Sequence, residues 1–328
     1  MKLLFITSNR IGDAVLSTGL LNHILRTHKD VRCTIACGPA AAPLFSEVPG
    51  LDRIIVLQKQ RRAKHWRGLW REVVRTRWDM VVDLRASAIA YFLLTRRRKV
   101  FRPSNEPMHQ VMQLSRLFNL PEPAAPGLWF GQKQVMAAKR AIPPGSPVLA
   151  IGPTANWPGK QWPAGSFAEL VNRLTAPGAI FEDARIAVFG AENERLAART
   201  LLDRIPKDRR LDLIGRFDIL TAGAALQECA MYIGNDSGLM HIAAATYMPT
   251  LGLFGPSRDE IYAPWGEHCA AVRTKLSFAE LSALPGYNPA HRQSLMGSLA
   301  VETVEAAAID LWCRCHPAPA IQAVAGLH

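Results

Sequence analysis

Short apolar runs alternate with helix-length segments along almost the whole chain, and no other feature constrains the fold as much. "KLLFIT" (2–7), "RCTIAC" (32–37), "RIIVL" (53–57) and "DMVVDL" (79–84) read as strands. Between the first two, Leu16, Leu20, Leu21, Ile24 and Leu25 recur at helical spacing. Strands that are apolar without interruption belong in a parallel sheet covered on both faces. Two proline-rich breaks follow, "PEPAAPGLWFG" and "AIPPGSP", and then the alternation restarts. The second set of strands is "VLAIG" (148–152), "RIAVFG" (185–190), "LDLIG" (211–215), "MYIGN" (231–235) and "PTLGLFG" (249–255), with helical stretches near 165–175, 193–204, 221–230 and 239–246. The expectation is two doubly wound α/β domains, 1–145 and 146–328, joined near 141–147. A last helix falls at 299–316, with a loose tail after it. Ligands of open parallel sheets bind at the carboxyl ends of the strands, so a cleft between two such domains is the expected site.

The 328 residues are 49% apolar and 20% charged, a globular composition. Lys and Arg outnumber Asp and Glu by 39 to 27, which permits nucleic acid, an anionic membrane surface or an acidic small substrate as partner. Cysteines 33, 37, 229, 269, 313 and 315 form no CxxC pair, so a structural zinc site is not expected and a reducing cytosol is. "MKLLFITSNR" begins like a signal peptide, but Asn9 and Arg10 cut its apolar run short. No stretch reaches the roughly 18 apolar residues that span a bilayer, so membrane contact is expected to be peripheral.

Four turns at strand ends carry polar side chains. In "SNRIGDAVLSTG" (8–19), Gly12 permits a sharp turn and Asp13 sits at the helix start. There N–H donors and the dipole favour its ionised form, as an ordinary N-cap or as a general base open to the cleft. The glycines lack the GxGxxG spacing of a nicotinamide site. "GPTANWPGKQWP" (152–163) holds one cation, Lys160, between Trp157 and Trp162. It reads as solvated surface or as a partner for a diphosphate, with the Thr154 hydroxyl beside it. Glu192 in "FGAENER" is either a ribose-binding acid or an acid in a helix first turn. In "GNDSGLMHIAA" (234–244), Gly238 lets the backbone approach a ligand and the next helix offers its N–H groups to an anion. Asp236 and Ser237 are placed to bond a sugar, or Asp236 is a plain N-cap. His241 faces back toward the loop or is a buried structural histidine.

"RIGDAVLSTGLL", "GKQWP", "GAEN" and "GNDSGLMHIAAA…PTLGLFGPS" together resemble the family 9 glycosyltransferases, the bacterial lipopolysaccharide heptosyltransferases and their relatives. The resemblance covers both halves in order. It implies the GT-B fold, two Rossmann-like domains facing across a cleft, and inverting transfer of heptose from a nucleotide diphosphate, typically ADP-heptose, to a lipopolysaccharide inner core. Position by position, it makes Asp13 the catalytic base and Lys160 the phosphate-binding lysine. Thr154 becomes a phosphate-binding hydroxyl, Glu192 the ribose acid, Asp236 a donor-sugar contact, Ser237 and Gly238 the phosphate-side turn, and His241 a motif histidine. Two departures stand out: Ser294 and Leu295 where many members carry a cysteine, and the Asn156 loop "TANWPG" in place of a Thr-Thr pattern.

The basic residues cluster in the first half. "KQRRAKHWRGLWREVVRTRW" (59–78) holds eight Lys or Arg against one Glu, and "RRRK" (96–99) adds four. Trp66, Trp70 and Trp78 interleave with these cations, which suits anionic headgroups or an acidic acceptor, as against a merely solvated face. Arg61, Arg62, Lys64 and Arg67 are the expected acceptor contacts. No nucleic-acid module is recognisable and no DxD motif occurs, so neither nucleic acid nor a metal or other cofactor is expected. Two rival readings remain on sequence alone: another sugar-nucleotide enzyme such as an epimerase, and a non-catalytic nucleic-acid- or membrane-binding protein.

Overall fold

The computed structural model describes residues 1–103, 106–285, 287–288 and 293–317, with the Arg62 side chain excepted; most of the tail expected to be loose lies outside this range. Eleven strands form among the described residues: β1 (Lys2–Ile6), β2 (Arg32–Cys37), β3 (Leu51–Val56), β4 (Trp78–Asp83), β5 (Thr95–Val100), β6 (Val148–Gly152), β7 (Arg185–Val188), β8 (Arg210–Asp212), β9 (Met231–Asn235), β10 (Thr250–Phe254) and β11 (Cys269–Arg273). The helices are α1 (Ile11–Thr27), α2 (Lys64–Val73), α3 (Gln110–Arg116), α4 (Gln132–Ala141), α5 (Ala164–Leu174), α6 (Arg195–Arg204), α7 (Ile219–Leu226), α8 (Gly238–Ala245), α9 (Asp259–Tyr262), α10 (Phe278–Ala283) and α11 (Val301–Cys315).

The strands make two wholly parallel sheets, β3-β2-β1-β4-β5 and β11-β10-β9-β6-β7-β8. Both have the doubly wound order of a Rossmann-like unit, with the switch points between β1 and β4 and between β6 and β9. The apolar runs behave as their composition requires: β1 is buried from Leu3 to Ile6, and β6, β9 and β10 are buried throughout. Helices on both faces supply the cover that parallel strands need.

Two strands escape the hydrophobic pattern. β5 is the "RRRK" run, and β11 reads "CAAVR". Each is the edge of its sheet, where one side of the ladder meets solvent and charged residues are tolerated. Trp78 is not part of a surface stripe either. It is 3% exposed and its indole N–H donates to the Val73 carbonyl, so it belongs to the core between α2 and the sheet.

The chain crosses between lobes early. The Gly127 N–H still donates to Thr18 Oγ1 of α1 at 3.1 Å. Three residues later the Phe130 ring lies 3.0 Å from where a Cβ on Gly223 of α7 would stand, and α4 packs along α7. A division at 145/146 therefore leaves α4 with the first lobe by sequence while it packs on the second.

The lobes meet where α1 and α8 begin. A Cβ on Gly238 would come within 2.7 Å of Ile11 Cγ2, and one on Gly12 within 2.7 Å of His241 Cδ2. Glycine at these two positions lets the helix starts lie against each other. A second tie is His109, at the N-cap of α3. Its Nδ1 accepts from the Val111 N–H, so Nε2 carries the proton and donates to the Ala263 carbonyl at 2.9 Å, while the ring lies against Trp265.

Candidate active site

A cleft of about 600 Å³ opens between the carboxyl ends of the two sheets. Its walls come from both lobes: Arg10–Asp13 at the start of α1, and Thr154, Lys160, Glu194 and Asp236–Gly238 from the second lobe. His241 and Tyr262 also line it. Asp13, Thr154, Lys160, Asp236, Ser237, Gly238 and His241, spread over more than 200 positions of sequence, thus converge on one space.

Asp13 lies in the first turn of α1 but does not cap it; the N-cap position is Arg10, which makes no side-chain cap bond. The carboxylate instead accepts from the Ser8 hydroxyl at 3.3 Å. Burial raises its pKa above the usual carboxylate value; Arg10, Ser8 and Arg85 oppose the rise, and the charge of Asp236 adds to it. A helix start favours the ionised form. Loss of solvation outweighs that help, and the result is a more basic carboxylate.

In the second lobe the β6 turn is braced as a unit. Trp162 is 1% exposed; its backbone N–H donates to Asn235 Oδ1 and its indole to the Leu299 carbonyl. A Cβ on Gly159 would meet the Trp157 ring at 2.6 Å, so only glycine lets that ring cover the turn. Leu295 donates its N–H to the Gly159 carbonyl and Ser294 its hydroxyl to the Gln161 carbonyl. The two positions that depart from the family pattern thus fasten this loop. Lys160, on the short 3-10 turn Pro158–Lys160, is aimed at Asp236 and pairs with Oδ2 at 2.5 Å. Asp236 caps no helix: the N-cap position of α8 is Ser237. Ser237 Oγ is buried beside the Tyr232 hydroxyl, and neither makes a hydrogen bond of ordinary geometry. His241 is 4% exposed, Nδ1 has no partner, and burial lowers its pKa to about 4, so the ring is neutral at pH 7.

Of the two acids after β7, Glu194 is on the cleft and Glu192 is not. Thr154 Oγ1 donates to Glu194 Oε2 at 2.8 Å, as does the Ala191 N–H at 2.9 Å. Glu192 turns outward to Arg195, whose guanidinium lowers its pKa. Arg61, Lys64 and Arg67 are exposed around the start of α2 and do not line the cleft. Nearer to Asp13 is Arg85, which the sequence reading missed although it follows the end of β4. Buried Asp83 receives the Arg85 N–H and the Ser87 hydroxyl, which shapes the turn. The guanidinium then donates to Asn9 Oδ1 at 2.9 Å and lies 5.7 Å from the centre of the Trp66 ring. Among the described residues no group of three His, Cys, Asp or Glu is placed to hold a metal ion.

Two Rossmann-like sheets facing across a cleft, with a basic carboxylate on one wall and a lysine and a helix start on the other, define the GT-B architecture. The family model described as glycosyltransferase family 9 (heptosyltransferase) matches residues 73–285, and the chain belongs to that family. The lipopolysaccharide heptosyltransferase 2 of Salmonella typhimurium is 28% identical over 147 residues, 44% of this chain and 41% of that protein, so the match spans less than half of that relative. The lipooligosaccharide heptosyltransferase 2 of Campylobacter jejuni is 24% identical over 297 residues, covering 87% of this chain and 90% of that one. Among solved structures, the Escherichia coli ADP-heptose lipopolysaccharide heptosyltransferase II shares the fold with a TM-score of 0.72, 20% identity and coverage of 96% and 99%.

Proposed function

We propose that the protein is an inverting heptosyltransferase that moves heptose from ADP-heptose to an acidic, lipid-linked inner-core saccharide. The observation that carries this is the pairing across one cleft of a carboxylate made basic by burial, Asp13, with the Lys160, Ser237 and α8 N-terminal cluster. A lysine has three N–H donors, so the bond to Asp236 leaves two for a diphosphate. The α8 N–H groups and the unsatisfied Ser237 hydroxyl add donors to the same anion. Asp13 takes the proton of an acceptor hydroxyl as its oxygen attacks the anomeric carbon from the face opposite the diphosphate. The carbon–oxygen bond to phosphate breaks, and the charge that develops on ADP falls on Lys160 and the helix start.

The second lobe carries the donor and the first the acceptor. Thr154 and Asp236 face the diphosphate and donor sugar, with the neutral His241 ring beneath them. The resemblance assigns the ribose to Glu192; the placement of Glu194 on the cleft, with Thr154 bonded to it, favours Glu194. Arg85 is placed to receive an acid group of the acceptor, with Arg61, Lys64 and Arg67 further out along its path; the Arg62 side chain lies outside the described residues. The enzyme works at the cytoplasmic face of the inner membrane as a peripheral protein; no helix among the described residues is long and apolar enough to cross a bilayer.

The test is Asp13→Asn, assayed for transfer from ADP-heptose to a de-O-acylated inner-core acceptor. The expected loss in kcat is about 10²- to 10⁴-fold, with the thermal shift produced by ADP-heptose retained. Near-normal transfer by a folded Asp13→Asn protein refutes the mechanism.

A further inference from the structure

The first lobe carries a surface that the transfer chemistry leaves unused. Tyr91, Phe92 and Leu94 are 52%, 70% and 65% exposed, three large apolar side chains within four residues. Single exposed apolar residues are ordinary, but a contiguous group marks a contact surface. Their neighbours Ile89, Ala90 and Leu93 are buried in the same segment and already supply the cover that β4 and β5 need.

The segment is also held rigid. Arg98 of β5 donates to the Ala90 and Leu93 carbonyls, and its guanidinium lies 5.5 Å from the centre of the Tyr91 ring. With the main chain fastened on both sides, Phe92 and Leu94 have no path inward. Alternation along β5 puts Arg96 on the same face as Arg98. α2 packs into the same layer, over the same core, and presents Arg67, Trp70 and Arg71 outward at i, i+3 and i+4, with Trp70 40% exposed. Of the acids nearby, Glu72 faces Arg53, and Asp79 accepts from the Lys2 N–H while its other oxygen lies 3.8 Å from Arg96, whose side chain stays 71% exposed and open to further anions.

We propose that this face, with Phe92 and Leu94 as its leading edge, is the site at which the protein docks on an anionic bilayer. The apolar tips enter the headgroup–acyl boundary while Arg71 and Arg96 meet lipid phosphates. Apolar tips alone would suit a protein partner; the ring of cations selects the anionic lipid surface. The inference rests on the proposal that the acceptor is lipid-linked, and it replaces the tryptophan stripe of the sequence reading, since Trp78 is in the core and Trp66 supports Arg85.

The experiment compares the full chain with the double variant Phe92→Ser/Leu94→Ser in co-sedimentation with vesicles of phosphatidylcholine alone or mixed with phosphatidylglycerol. The expected result is binding to the mixed vesicles only, weakened about tenfold or more in the double variant, with unchanged melting and unchanged transfer to a water-soluble acceptor. Arg71→Ala/Arg96→Ala lowers binding in the same way, and added salt weakens wild-type binding. Equal binding of wild type and Phe92→Ser/Leu94→Ser overturns the proposal. So does a wild-type dimer that the variant dissociates in light scattering, because a second copy then occupies the face. The vesicle assay contains no sugar nucleotide, so failure of docking and failure of the transfer reaction are read separately.

Discussion

Replacing His241 with Gln should flatten the acid side of the stability profile by an amount that follows from the burial of the ring. In the unfolded chain the imidazole titrates near 6.5; in the fold it titrates at about 4, because desolvation and the charges of His109 and Lys160 disfavour the cation more than Asp236 favours it. A histidine with a depressed pKa leaves stability intact above the unfolded value and removes it as pH falls, since the unfolded chain then binds the extra proton. The full difference is about 3 kcal/mol below pH 4, and about 2 kcal/mol of it is lost between pH 7 and pH 5. Urea unfolding of wild type and His241→Gln at those two pH values isolates this amount, because every other titrating group is common to both. Wild type should lose about 2 kcal/mol more than the variant on going to pH 5. Equal losses would mean that the ring is hydrated or paired in solution, and the description of His241 as a neutral wall of the cleft would fail.

Lys160→Ala should lower kcat about 10²- to 10³-fold and should also melt earlier, since the Asp236 side chain, 8% exposed, is left without its ion pair. Turnover measured by ADP release at saturating donor checks this, and a change of less than threefold in kcat refutes the role. Glu194→Ala should raise the donor KM while Glu192→Ala leaves it near wild type; the reverse order would return the ribose to Glu192. Arg85→Ala removes a cation that holds down the pKa of Asp13, so the acid limb of kcat/KM moves to higher pH and the acceptor KM rises while the donor KM stays. An acid limb that does not move separates Arg85 from Asp13.

The strands were legible where burial alone dictated composition. β1, β6 and β9 lie inside their sheets, so their buried stretches are apolar apart from Asn235 at the end of β9, and the pattern shows it. β5 and β11 were hidden because an edge strand is held by one neighbour and tolerates arginine. Three tryptophans in one basic stretch look alike in sequence; only the packing of α2 separates buried Trp78 from exposed Trp70. The candidate residues on tight glycine turns that line the cleft were legible because a sharp turn at a strand end carries its own signal. Glu192 and Glu194 were not separable, since both fall in one short 3-10 turn and its rotation decides which carboxylate faces Thr154. Arg85 lacked any glycine to mark it: its turn is shaped by the buried Asp83 carboxylate.

The passage of the chain from Thr18 to Gly223 within residues 127–130 bears on any attempt to take the molecule apart. A donor-side fragment begun at 146 would strip Ala138 and Ile142 from α7 and expose a greasy seam; one begun at Leu128 would carry its own lid. Among the described residues, any bending between the halves is taken up in those few positions, where the chain leaves one lobe and joins the other.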